Sequence, residues 1–137
     1  MITPDQVLCH MIGDYILQSD WMAQNKTKKT IAALAHVATY SIPFLVMMIL
    51  TGLPIAKMLL PLLVIVGTHF IIDRWRLARY VVWAKNWISP IPNQPWTDCS
   101  GTGYHKDVPI WLSMWLLIIV DNTMHILING IALYYLV

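Results

Sequence analysis

The sequence contains no glutamate: its seven acidic residues are all aspartate, and only 12% of its 137 residues are charged, against ~25% in ordinary soluble domains. With a formal net charge of +2, it lacks the basic face expected of a nucleic-acid binder. Cysteine is equally scarce. Cys9 and Cys99 form neither a disulfide framework nor a Cys-x-x-Cys metal motif, so both are expected to be free thiols. No basic start leads into an unbroken apolar run, which argues against a cleavable signal peptide and keeps the first helix in the mature chain. Internal repeats and low-complexity tracts are absent too.

What fills the sequence is hydrophobic residue, at 58% against the ~45–50% of soluble domains. At ~20 apolar residues per helical span, the length suits about four spans with short loops and leaves no room for a separate soluble domain. The expected fold is all-α, a single transmembrane helical domain with helices over about residues 4–25, 30–51, 54–84 and 108–136. Thr3-Pro4-Asp5-Gln6 reads as a helix start, with a Thr cap, Pro where no amide hydrogen is needed, and Gln three residues on. The first helix is amphipathic, and its weak hydropathy leaves a surface-lying helix open. From about residue 86 to 107 the chain is too rich in Pro and Gly for regular structure and reads as one long loop.

Of the nine Lys and Arg residues, all but Lys57 fall after the first helix or between the third and fourth. The positive-inside rule makes that side cytoplasmic and both termini external, as in a bacterial inner membrane.

An ionisable side chain near the centre of a span costs at least ~2.5–3.5 kcal/mol on insertion scales, so each requires a reason. Seven are present: His10 and Asp14, His36, His69 and Asp73, and Asp121 and His125. Three helices carry a His and an Asp four residues apart, which places both on one face. Gln18, Tyr40, Arg76 and Asn129 extend these stripes, each three or four residues from a His or Asp. Polar faces of membrane helices turn into the bundle, so the stripes should converge.

Four His and three Asp exceed what one tetrahedral ion needs and suit two divalent ions with open positions. Imidazole and carboxylate without thiolate fit zinc, manganese or iron alike. Such ions polarise phosphate oxygens or lower the pKa of a water toward ~7. Gln18, Tyr40 and Asn129 would orient ligands or substrate, and Arg76 would bind an anionic headgroup. The same residues would also serve a proton path or interhelical hydrogen bonding without metal.

The run from Leu8 to Ala23 (LCHMIGDYILQSDWMA), followed by Asn25-Lys26, His36 and Thr68-His69-Phe70-Ile71-Ile72-Asp73, resembles a family of small integral membrane proteins of unknown function in phages and bacteria. Its signature spacing is H-x3-D-x3-Q with a later H-x3-D. The resemblance implies a small membrane protein built around this polar set and brings no substrate with it.

Two functions are expected ahead of others. One is a membrane-embedded metal-dependent hydrolase acting on a lipid-linked or amphiphilic phosphate or ester near the cytoplasmic leaflet. The other is a metal-ion or proton-coupled transporter, a reading that four spans without an inverted repeat weaken for a monomer and that a homo-oligomer would revive. A non-enzymatic phage or bacterial membrane interaction protein is the third expectation. The bilayer is the partner common to all three.

Overall fold

The computed structural model describes residues 3–90 and 94–137; positions 91–93 of the expected loop, and the first two residues, lie outside the described residues. Every regular element among the described residues is helical. In chain order these are α1 (Pro4–Met11), a π-helical turn (Ile12–Ile16), α2 (Asp20–Asn25), α3 (Thr30–Leu50), α4 (Ile55–Trp75), α5 (Ala78–Lys85), a 3-10 turn (Asn86–Ile88), α6 (Trp96–Cys99) and α7 (Ile110–Tyr135).

Three helices, α3, α4 and α7, are long and apolar enough to cross a membrane, with mean hydropathies of 1.8, 2.1 and 1.7. Only 33%, 28% and 28% of their most apolar windows is buried within the chain. The outward faces therefore carry the apolar residues, among them Leu45, Ile49, Leu59, Leu63 and Ile119, as suits helices solvated by lipid.

The expected first span is not one of these three, because residues 4–25 are not one helix. Thr3 caps α1 as expected, its hydroxyl accepting from the Gln6 amide at 3.3 Å. The helix then widens into the π turn, closed by the Leu17 amide on the Ile12 carbonyl at 3.0 Å. Extended backbone at Ser19 ends it, and the Ser19 side chain caps α2. The expected helix over 54–84 is also interrupted. It stops at Trp75, where Arg76 takes φ 51°, a left-handed conformation uncommon outside glycine. Within the expected loop over 86–107, two short helical turns replace part of the irregular chain.

The chain divides into two compact units, one holding residues up to Trp75 together with His125–Val137, the other Arg76–Met124. In the first, α1, the π turn and α2 pack antiparallel along α3. The Cys9 thiol donates to the Pro43 carbonyl at 3.4 Å, and Thr39 Oγ1 lies 3.9 Å from Met22 Sδ. Tyr40, Phe44, Met48, Met58, Ile65 and Ala132 close an apolar core around Cys9. The Gln6 amide donates to the Ile126 carbonyl at 2.8 Å, joining α1 to the last turns of α7.

The second unit packs Ala78, Val82 and Leu117 together. Gly103, at φ 86°, lies so close to α5 that a Cβ there would overlap the Arg79 carbonyl and meet Val82 Cβ at 2.7 Å. Arg79 donates to the Ser100 carbonyl at 3.0 Å and covers the Trp96 ring. Both cysteines are free, as expected, and burial raises the Cys99 thiol pKa.

Candidate metal centre

His36 comes from α3, and His69 and Asp73 come from α4, where one helical turn sets them on the same face. Asp14 comes from the π turn, a local widening common at functional sites. Its neighbour Gly13 explains how close that turn comes to α3. A Cβ on Gly13 would lie 2.6 Å from Tyr40 Cδ2 and 3.1 Å from the Tyr40 carbonyl oxygen, so only glycine allows the approach.

The four side chains meet at one point. His36 Nε2 lies 3.1 Å from Asp14 Oδ1 and 3.1 Å from Asp73 Oδ2. His69 Nε2 lies 3.2 Å and 3.3 Å from the same two oxygens, and the two ring nitrogens are 3.0 Å apart. All four ligand atoms fall within 4.8 Å of one another. An ion with bonds of ~2.0–2.1 Å in tetrahedral geometry holds its ligands ~3.3–3.4 Å apart, close to these separations.

The donor chemistry fits a cation as well. Asp14 Oδ1 and Asp73 Oδ2 are buried; two imidazole nitrogens flank each, and Asp73 Oδ2 alone also meets an ammonium, that of Lys26 at 2.7 Å. Two buried carboxylate oxygens turned to a common point require positive charge there. Both His residues are fully buried, and Asp14 and Asp73 are 8% and 6% exposed. That burial excludes bulk solvent as the compensating partner.

His10 and His125 address the other oxygens of the same carboxylates. His125 Nε2 is 3.3 Å from Asp73 Oδ1, and His10 Nε2 is 3.5 Å from Asp14 Oδ2. Behind His10 runs a polar chain: Asn129 Nδ2 donates to the Tyr40 hydroxyl at 2.7 Å, and that oxygen is 2.9 Å from His10 Nδ1. The Tyr40 hydroxyl thus links Asn129 to His10 Nδ1, while His10 Nε2 faces Asp14. Partners of this kind orient metal-binding groups. The Tyr40 ring also stacks on His69, with centroids 3.6 Å apart and planes 20° from parallel.

The structure thus brings four of the seven expected ligands onto one point and sets His10 and His125 behind the carboxylates. Asp121 lies one turn before His125 on α7, in the second unit. Gln18 presents a buried Oε1 that accepts no hydrogen bond. Arg76 belongs to the second unit, where it donates to the Gly101 carbonyl at 2.9 Å.

One residue escaped the sequence reading. Lys26 Nζ is 2.7 Å from Asp73 Oδ2 and 3.3 Å from His36 Nε2. Counted as a topology charge and quoted within the resemblance but given no role at the site, it continues the every-fourth-residue stripe through His10, Asp14, Gln18 and Met22, and that register was the available signal.

A family model described as Protein of unknown function (DUF3307) matches residues 2–98. The match takes in Asp14, Lys26, His36, His69 and Asp73 and ends before Asp121, His125 and Asn129. No curated protein and no solved structure matches the chain.

Proposed function

The chain belongs to the DUF3307 family of proteins of unknown function, and on that premise we propose that it is a membrane-embedded hydrolase built on a divalent metal ion. Its substrate in this reading is a lipid-linked or amphiphilic phosphate or ester at the cytoplasmic leaflet. The observation that carries it is the convergence of Asp14 Oδ1, His36 Nε2, His69 Nε2 and Asp73 Oδ2 inside helices whose outward faces are apolar. When bound, the ion supplies Lewis acidity and a water of lowered pKa. The protein's own groups do the rest. Asp14 and Asp73 neutralise the ion, His10 and His125 hold those carboxylates from behind, and Tyr40 with Asn129 fixes His10.

Four protein ligands fill a tetrahedral zinc site, whereas five- or six-coordinate manganese or iron keeps a place for substrate. The hydrolase reading therefore favours the latter ions. A carrier for the ion itself is the second reading, supported by the same four convergent ligand atoms.

The location proposed is a bacterial inner membrane with both termini outside the cytoplasm. The segment from α1 to α2 lies alongside α3 from Cys9 at Pro43 to Lys26 at His36, which supports a fourth, broken crossing. The test is metal content of the purified protein by mass spectrometry, followed by a panel of phospholipids and lipid esters assayed for hydrolysis. Metal-loaded protein should turn over at least one of these amphiphiles, and His69→Ala should abolish both binding and turnover. Ion flux into proteoliposomes without hydrolysis would select the carrier, and metal-free protein would overturn both.

A further inference from the structure

Lys26 follows α2 and keeps 19% of its side chain exposed, so it reaches from the surface to the ligand group. Its only ion pair among the described residues is with Asp73. The ammonium therefore lies against the His36–Asp73 edge of the four-ligand group.

It is also held there. The Lys26 amide bonds the Met22 carbonyl at 2.8 Å, and the Lys28 and Lys29 amides both bond the Asn25 carbonyl at 2.8 Å. Arg74, the residue after Asp73, donates to the Thr27 carbonyl at 2.6 Å. The turn that carries Lys26 is thus pinned to the end of the helix that carries Asp73.

Charge arithmetic then sets a requirement, given the metal reading above on which this inference rests. Two carboxylates neutralise a divalent ion. The Lys26 ammonium shares Asp73 with that ion, so the group as a whole keeps one positive charge in excess in a poorly solvated place. A singly charged oxyanion touching both cations restores neutrality. Phosphate suits the position, since it presents two or more oxygens to separate donors and since Lys28, Lys29 and Arg74 make this end of the unit basic, as expected where phosphate headgroups lie.

We propose that the metal-loaded centre binds a phosphoryl oxyanion between the ion and Lys26, making Lys26 the substrate-recognition residue of the site. The full chain, loaded with manganese in detergent, would be titrated with inorganic phosphate in one arm. In the other arm it would be titrated with a short-chain phosphatidic acid, with the diacylglycerol of equal chain length as control. Metal content is measured in every sample. In at least one arm, wild type should bind at least tenfold more tightly than Lys26→Met, with metal content undiminished in the variant, and chelation should remove the binding. Lys26→Arg should retain most of the affinity, which separates loss of charge from loss of fold.

Binding of free phosphate assigns an aqueous anion, and binding of phosphatidic acid alone assigns a lipid headgroup. Absence of binding in both arms by metal-loaded protein overturns the inference and leaves the metal reading standing, as does equal affinity in Lys26→Met. Absence of metal overturns both together.

Discussion

Asp73 offers one oxygen to His36, His69 and Lys26 and the other to His125. Asp73→Asn keeps the size of the side chain, removes its charge and still accepts hydrogen bonds. Metal affinity should fall by more than the ~10–100-fold typical of losing an outer partner. With ion at ~100 times its Kd, wild type gains ~2.7 kcal/mol of stability from loading, and Asp73→Asn should lose that gain. Calorimetric melting with ion and with chelator checks it: the two proteins should differ in the first condition and nearly coincide in the second. Tyr40→Phe tests the chain behind His10. Its hydroxyl serves two buried partners, His10 and Asn129, so leaving them unsatisfied should cost ~1–3 kcal/mol, read as a lower melting temperature in ion and chelator alike.

At the scale of the element, what could be read in advance depended on whether the cause was local. The apolar runs of α3 and α7 announce their helices almost to the residue, because length and composition suffice. His69 and Asp73, four apart on α4, were legible for the same reason: their spacing is a property of one helix. The π turn was not legible, since it lies against α3 with Gly13 close to Tyr40, a contact twenty-seven residues away that no local spacing reports. Nor was the break at Arg76, where an arginine occupies a conformation that its own preferences disfavour. Lys26 was obscured because one charge serves both as a topology signal and as a partner of Asp73. The Gly13 contact yields a prediction of its own. Gly13→Ala forces the turn away from α3 and should cost ~1–3 kcal/mol through overpacking. It should also weaken metal binding by displacing Asp14, measured by thermal unfolding and by ion titration.

For the whole molecule, the distribution of Lys and Arg predicts the sidedness of the chain. A reporter active only in the cytoplasm should be silent when fused after Val137 and active when inserted in the loop over 89–103, and the reverse pattern would contradict the charge argument. The sequence positions of the four convergent ligands also set a timetable. Asp14, His36, His69 and Asp73 all precede Trp75, whereas His125 and Asn129, which support the carboxylates and Tyr40, come from the last turns of α7. At ~5–20 residues per second of synthesis, the ribosome supplies every ligand several seconds before the helix that braces them. In the metal reading, the nascent chain therefore holds all four ligands before the residues that support them from α7 are made.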